Sequence, residues 1–173
     1  MTDLARKYFR LKDDPRLSIY HQDGRVFFNT TKNKYDVIFG DAFNSFSSTP
    51  FHLATKEVVQ KQYDILNEGG VVILNIISAI EGEKGDFARA EYATFKSVFP
   101  QVYLFPVQSP ESGEQIQNVM LVAVKSNNMA EFNSANIELN EYLAHRWLGE
   151  VASDKPVLTD DFAPVEHYKK KLM

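Results

Sequence analysis

Hydrophobic positions recur along the chain with two different spacings, and these spacings predict the secondary structure. In 51–66, 87–99 and 129–148 they recur every three or four residues, which places apolar side chains on one face of a helix. Short runs rich in Val, Ile and Phe, at 35–41 and 71–77, are typical of strands buried in a parallel sheet. Because helical and strand patterns alternate, the sequence predicts an α/β protein with a mostly parallel sheet.

The complete set of predicted elements begins with a short helix that the residues Asp-Asp-Pro at 13–15 end. The predicted helices cover 4–11, 26–29, 51–66, 87–99 and 129–148, and the predicted strands cover 16–21, 35–41, 71–77, 101–107 and 118–125. The glycines within 68–70 are expected to end the third helix. The last two strands predict an antiparallel hairpin at the sheet edge. We expect 35–41 and 71–77 to be parallel neighbours that are buried on both faces.

Composition indicates an ordinary globular protein. The 173 residues, of which 44% are hydrophobic and 24% charged, predict one domain covering 1–173. The net charge of -4, with one basic cluster at 169–171, argues against a nucleic-acid partner. No cysteine occurs, which excludes disulfides and thiolate metal sites and favours the reducing cytoplasm. The sequence has no apolar stretch of transmembrane length, so we expect a soluble protein.

Asp41 is the first candidate functional residue, because it follows the apolar run 35–40 and opens a loop rich in turn-forming residues. The carboxyl ends of parallel strands are where open α/β sheets bind ligands. The same pattern is also typical of a turn-forming or helix-capping aspartate, and the pattern alone does not separate the two.

The motif that usually opens a nucleotide-binding fold does not occur in this sequence. Such folds begin with a strand, a glycine-rich turn and a helix, followed by a strand that ends in an acidic residue. Here the first predicted element is a helix, and the eight glycines form no G-x-G array. A metal site is also not indicated, because the four histidines lack ligand spacing.

Several segments, in this order along the chain, resemble the spermidine synthase family. They are the residues 4–9, 14–17, 21–25, 35–43, 50–57 and 66–71, and the segment 158–166 resembles the tail of the bacterial spermidine synthase-like branch. The resemblance implies a Rossmann-like, methyltransferase-like fold. It begins partway into the family's catalytic domain, so it also implies an N-terminally truncated domain without the glycine-rich motif and the ribose-binding acid.

The resemblance implies transfer of an aminopropyl group from decarboxylated S-adenosylmethionine to an amine, with release of methylthioadenosine. The partners would then be a small amine and a nucleoside co-substrate, and no prosthetic group or metal would be needed. A sheet that lacks its first strands leaves an apolar edge exposed, so we also expect self-association, with a dimer as the simplest form.

By position in the resemblance, Asp41 is the catalytic carboxylate that takes a proton from the attacking amine. Asp23 and Gly24 match the family's Asp-Gly, whose carboxylate accepts a hydrogen bond from the adenine amino group. A plain Asp-Gly turn is the alternative. Asn44 stands where the family has a second carboxylate, and because an amide cannot balance a distal ammonium, this argues against putrescine as the acceptor.

Three further residues are candidates for substrate binding. His52 follows the Asp41 loop and either reaches the pocket or lies on the surface. Asp160 and Asp161 either reach a cationic substrate or form a capped turn before Pro164. Two other functions remain open, namely a truncated or degenerate domain without catalysis and an S-adenosylmethionine-dependent small-molecule methyltransferase on the same fold.

Overall fold

A computed structural model describes residues 1–43 and 50–172. Its helices are α1 (Thr2–Tyr8), α2 (Gly24–Thr30), α3 (Lys56–Ile65), α4 (Asp86–Lys96), α5 (Ile137–Ala144) and α6 (Val165–Lys170), with short 3₁₀ helices at Phe51–Leu53 and Glu83–Gly85. Its strands are β1 (Tyr35–Phe43), β2 (Leu66–Ser78), β3 (Gln101–Pro106) and β4 (Gln117–Val124). Asn44 lies outside the described residues.

The four strands form one sheet in the order β1-β2-β4-β3. β1 pairs in parallel with β2, whereas β4 pairs antiparallel with both β2 and β3. Three of the four strands therefore run in the same direction, and β3 and β4 form an antiparallel hairpin at one edge. The α/β class, the mostly parallel sheet and the edge hairpin are confirmed.

One face of the sheet carries the hydrophobic core. Alternate residues of β2, namely Val72, Leu74 and Ile76, are fully buried there because side chains of a strand alternate between the two faces. Helices α3 and α4 pack on this face, and α6 packs against α4; together they contribute Val59, Phe87, Phe95, Val165 and Tyr168 to the same cluster. Burial of each large side chain stabilises the fold by ~1.5–3 kcal/mol. This core anchors β2, the strand next to the candidate base.

The predicted burial of 35–41 on both faces is wrong. β1 is the outermost strand, and Val37 and Phe39 are 43% and 75% exposed. Among the described residues no strand pairs with its outer edge, so the apolar side chains of β1 lack a covering neighbour. The parallel pairing with β2 is confirmed, and so is the expected exposed apolar edge.

Two other predicted elements differ from the structure. The strand expected at 16–21 does not form, and Leu17 and Ile19 are exposed, because alternation gives a strand only where a neighbouring strand pairs with it. The helix expected at 129–148 is limited to α5. It begins there because the side chain of Asn136 accepts a hydrogen bond from the backbone N–H of Leu139 and so caps the first turn.

The expected glycine stop at 68–70 is also wrong. Helix α3 ends at Ile65, and the next residue, Leu66, already pairs with Tyr35 of β1. Gly69 lies inside β2 with a φ of 78°, a conformation that favours glycine. The glycines therefore shape the beginning of the strand and do not end the helix.

Helices α4 and α6 enclose two ionisable side chains. Glu91 is fully buried, and within the described part of the chain neither of its carboxylate oxygens has a hydrogen-bond partner. Burial raises the pKa of Glu91 well above its ordinary value, although the charge of nearby Lys169 acts in the opposite direction. Burial also lowers the pKa of Lys169, and Glu91 counteracts this. The ammonium of Lys169 lies 5.2 Å from the ring centre of Phe87.

This arrangement predicts that the free energy of unfolding falls as the pH rises through the acidic-to-neutral range. The pKa of Glu91 is raised in the folded state, so its contribution is complete below about 4.5 and is lost as the pH rises towards the folded pKa. We expect Glu91→Gln to flatten this decline above about pH 4.5, over the range where Lys169 stays charged in the unfolded chain. Urea unfolding at several pH values measures this, with the exposed Glu138→Gln as control. A parallel decline in Glu91→Gln would contradict the prediction.

Candidate active site

Asp41 lies at the carboxyl end of β1, and its side chain is exposed. Asn75 of the adjacent strand β2 donates a hydrogen bond from Nδ2 to Asp41 Oδ1 at 3.0 Å. The side chain of Leu74 packs over Gly40, where an added Cβ would lie 2.5 Å from Leu74 Cδ1. The pairing register of β1 and β2 then shifts between Gly40 and Phe43, which is where Asp41 reaches Asn75.

Asp23 caps helix α2. Its Oδ1 accepts hydrogen bonds from the backbone N–H groups of Arg25 and Val26, at 2.9 and 3.3 Å, as an N-cap aspartate does. Its Oδ2 lies 3.0 Å from His52 Nε2. The hydrogen bond from His52 lowers the pKa of Asp23, and the backbone donors add to this against a smaller effect of burial. Gly24, the first residue of α2, packs against the side chain of Leu53.

Arg25 links this helix to the C-terminal segment. Its guanidinium forms a two-pronged ion pair with Asp160, in which Nη1 lies 2.7 Å from Oδ1 and Nη2 contacts Oδ2. Thr55 Oγ1 also donates to Asp160 Oδ1 at 2.7 Å, and Glu57 accepts from the Asp160 backbone N–H at 3.1 Å. The ion pair with Arg25 lowers the pKa of Asp160, against a smaller effect of burial. Asp160 therefore anchors the tail.

The structure brings Asp23, Gly24, His52 and Asp160 into one cluster around Arg25, which we call the Arg25 cluster. The backbone carbonyl of His52 also accepts from Arg25 Nη1 at 3.1 Å. Asp161 is exposed in the turn that Thr159 and Phe162 close. A turn before Pro164 is thus present, in which the backbone N–H of Phe162 donates to Thr159 Oγ1 at 3.2 Å. Between described residues, no hydrogen bond links Asp41 to the Arg25 cluster.

Two residues that form contacts in this region, Arg25 and Asn75, were not among the candidates predicted from the sequence. Arg25 was not a candidate, because its position directly after Asp-Gly gives no sign of a partner 135 residues away. Asn75 stood inside the predicted strand 71–77, where one polar residue among apolar neighbours was the available signal. Both depend on partners that are distant in sequence.

A third group surrounds a cleft of about 800 Å³ beyond the end of β2. Arg89 and Asp86 lie at its base, and their side chains are 6% and 3% exposed. Arg89 donates to Asp86 Oδ1 at 2.7 Å and to both oxygens of Asp154 at 2.6 and 3.0 Å. The hydrogen bond from Arg89 lowers the pKa of Asp154 to about 2. We call Asp86, Arg89, Asp154, Lys155 and Lys171 the Arg89 network.

Residues 1–43 and 50–172 contain neither a candidate metal site nor a membrane-spanning helix. No group of three or more His, Asp or Glu side chains is arranged to hold a metal ion there. Within the same part of the chain, no helix has the length and apolar character needed to cross a membrane.

Open α/β sheets bind ligands at the carboxyl ends of their parallel strands, and Asp41 lies at such an end. Residues 1–134 match the family model described as "Spermine/spermidine synthase domain". The match covers more than half of the chain, so the chain belongs to the spermine/spermidine synthase family.

One relative supports the same assignment. The "Probable polyamine aminopropyl transferase" of Bifidobacterium longum (strain NCC 2705) is 30% identical over 186 aligned residues, which cover 96% of this chain and 41% of that protein. The chain therefore spans about two fifths of the length of this relative.

Two solved structures share the fold. A probable spermidine synthase from Corynebacterium glutamicum ATCC 13032 superposes with a TM-score of 0.63 at 24% identity, over 82% of this chain and 48% of that one. A spermidine synthase in complex with the transition state analogue AdoDATO gives a TM-score of 0.54 at 21% identity, over 99% and 58% of the two chains. The expected methyltransferase-like fold is confirmed.

Proposed function

We propose that this chain carries the base of an aminopropyltransferase, which transfers an aminopropyl group from decarboxylated S-adenosylmethionine to an amine. The observation that carries the proposal is Asp41, an exposed carboxylate at the carboxyl end of a parallel strand. Its Oδ1 is held by Asn75, and among the described residues its Oδ2 accepts no hydrogen bond. One oxygen is thus fixed and the other is available to a substrate.

The proposed reaction is a direct displacement. The lone pair of the neutral amine attacks the propyl carbon that is bonded to the sulfonium sulfur. The carbon–sulfur bond breaks, its electron pair stays on sulfur, and methylthioadenosine leaves as a neutral thioether. The amine nitrogen loses one proton to Asp41, which later releases it to water. No metal or prosthetic group enters this balance.

We place the nucleoside near Asp23 and Gly24. Asp23 Oδ2 is the oxygen that does not cap α2, and the adenine amino group would donate to it in place of His52 or beside it. His52 would then line the adenine side of the pocket. Because this sequence has no glycine-rich loop and no ribose-binding acid, we expect weak binding of the nucleoside, in the millimolar range.

We propose the class of acceptor amine from the charged side chains that could contact it. Asp160 is engaged by Arg25, so Asp161, which is exposed in the adjacent turn, is the tail carboxylate available to a cationic substrate. Asn44 has an amide where a second carboxylate would balance the distal ammonium of a diamine. We therefore propose an acceptor that does not require such an ammonium.

The test of this function is an assay of methylthioadenosine release with matched acceptors. Putrescine and n-butylamine have the same carbon chain, and only putrescine carries a distal ammonium. We expect release that depends on an amine and that proceeds at least as well with n-butylamine as with putrescine. Release with neither amine would favour the non-catalytic alternative, and transfer of a methyl group instead would favour the methyltransferase alternative.

We also propose that the chain forms a dimer through the outer edge of β1. An exposed parallel edge presents unpaired backbone groups, and the exposed Phe39 adds apolar surface to it. We expect Phe39→Ser to shift the sedimentation profile towards the monomer, and we expect Phe9→Ser, at the 81% exposed C-cap of α1, to leave it unchanged. A monomeric wild-type chain at high concentration would contradict the proposal.

A further inference from the structure

Asn75 occupies an unfavourable position for a polar residue. It lies in the middle of β2, between β1 and β4, and its backbone pairs with Met120. The neighbouring positions of this strand are apolar, from Val71 to Ile77. Its Oδ1 is shielded from solvent and has no hydrogen-bond partner among the described residues. A buried oxygen without a partner destabilises a fold, so its presence calls for an explanation.

The orientation of the Asn75 amide is explained by Asp41 alone. Nδ2 donates to Asp41 Oδ1 at 3.0 Å, and this is the one side-chain hydrogen bond described for Asn75. Rotating the amide by half a turn would set its oxygen against the carboxylate oxygen, which is repulsive. The rotated amide would also leave its N–H groups at the site where Oδ1 lacks a partner. The carboxylate therefore selects the observed orientation.

We infer that Asn75 is the positioning residue of the Asp41 base. Its amide N–H holds Oδ1 of Asp41, and this leaves Oδ2 as the oxygen that takes the proton of the acceptor amine. The inference rests on the proposed aminopropyl transfer. It assigns the role to Asn75 because a residue that weakens a strand and serves one carboxylate is expected at a functional site.

The same strand pair contains an internal control. At the opposite end of β1 and β2, Asn67 Nδ2 donates to Asp36 Oδ1 at 2.7 Å. Both pairs join an asparagine of β2 to an aspartate of β1, yet Asn67 is exposed and lies at the amino end of the strands, away from Asp41. A variant that loses the Asn67 hydrogen bond therefore measures how much an asparagine–aspartate pair contributes to stability when it has no role in the reaction.

The experiment compares Asn75→Leu, Asn75→Asp and Asn67→Leu in the full 173-residue chain. Leucine has a similar volume and no unsatisfied oxygen, so we expect Asn75→Leu to keep or raise the melting temperature. The same variant should lower kcat for methylthioadenosine release ~10- to 100-fold, because the base loses its orientation, with little change in the KM of the amine. Asn75→Asp removes the donor and adds repulsion, so it should lose at least as much activity. Asn67→Leu should keep its activity.

A second measurement needs no catalysis and separates this inference from the proposed function. The Asn75 side-chain N–H₂ signals in a ¹⁵N-correlated NMR spectrum are assigned by their loss in Asn75→Leu. We expect them to shift in Asp41→Ala and to stay in place in Asp36→Ala, which should shift the Asn67 signals instead. If the Asn75 signals do not respond to Asp41→Ala, the inference is wrong, whatever the activity of the chain.

The activity and NMR measurements together distinguish a structural role of Asn75 from a role in catalysis. An Asn75→Leu variant that loses stability and keeps kcat would show a structural role and overturn the inference. A wild-type chain that releases no methylthioadenosine would overturn the proposed function and the catalytic role of Asn75 with it. In that case an NMR response of the Asn75 signals would still support the contact between Asn75 and Asp41, but not a role in catalysis.

Discussion

Replacing Asp41 by Asn is expected to lower amine-dependent release of methylthioadenosine by ~10²- to 10⁴-fold, the usual cost of losing a positioned general base. An amide has nearly the same shape but cannot take a proton from the attacking amine. The exposed side chain of Asp41 and its single hydrogen bond to Asn75 indicate that the fold will tolerate the change. Chromatographic assay of the released nucleoside measures the effect.

The matched control is Asp36→Asn, which changes the same residue type on the same strand in an equivalent pair with Asn67. We expect this variant to release methylthioadenosine at the wild-type rate. Calorimetry should also give the same weak affinity for methylthioadenosine in wild type and Asp41→Asn, since the proposed adenine contacts are at Asp23. Full activity of Asp41→Asn would exclude Asp41 as the base.

Replacing Asp86 by Ala is expected to reduce the free energy of unfolding by about 3–5 kcal/mol, because it removes the carboxylate from a buried ion cluster. The carboxylate oxygens of Asp86 lie 2.7 Å from Arg89 Nη2, 2.9 Å from Lys155 Nζ and 2.7 Å from Lys171 Nζ. Without it, three cations face one another with Asp154 as the remaining carboxylate of the Arg89 network. Chemical denaturation measures the loss.

Asp14→Ala is the control for this prediction. Asp14 forms an ion pair with Arg16 at 2.7 Å, but the side chains of Arg16 and Asp14 are 88% and 38% exposed, so we expect a much smaller change. An equal loss in both variants would contradict the role assigned to burial. A loss near zero in Asp86→Ala would mean that the cluster does not stabilise the fold.

The Arg89 network also predicts the behaviour in acid. The pKa of Asp154 is lowered to about 2 from an ordinary value of 3.8, mainly by the hydrogen bond from Arg89. Its contribution is therefore complete above the ordinary value and is lost as the pH falls through the lowered one. Burial raises the pKa of Asp86, but the hydrogen bonds from Lys171 and Lys155 outweigh this and lower it overall. Both carboxylates thus support the fold at neutral pH and cease to do so in strong acid.

Local patterns predicted much of this fold, because helices and buried strands each have a characteristic spacing of apolar residues in the sequence. The strands 71–77, 101–107 and 118–125 were found, and the helix expected at 87–99 corresponds to α4. The predictions that were wrong concern strand pairing and burial, which depend on neighbouring segments as well as on the segment itself. The segment 16–21 has the alternation of a strand but no pairing partner, and Phe39 is exposed because of what lies beside β1.

The candidate site was predicted in part for the same reason. The position of Asp41 at a strand end follows from the apolar run before it, and this position is confirmed. Its role as the base stays a prediction, as do the roles in substrate or nucleoside binding of Asp23, Gly24, Asn44, His52, Asp160 and Asp161. Capping by Asp23 and the ion pair of Asp160 could not be deduced, since their partners come from the folded chain.

The most direct test of the proposed function is to identify the nucleoside that the wild-type chain releases from decarboxylated S-adenosylmethionine. Mass spectrometry of the reaction mixture, with and without n-butylamine or putrescine, distinguishes the possible products. Aminopropyl transfer predicts methylthioadenosine, formed only when an amine is present, together with the aminopropylated amine. Formation of the demethylated thioether, or no product with either amine at millimolar nucleoside, would contradict it.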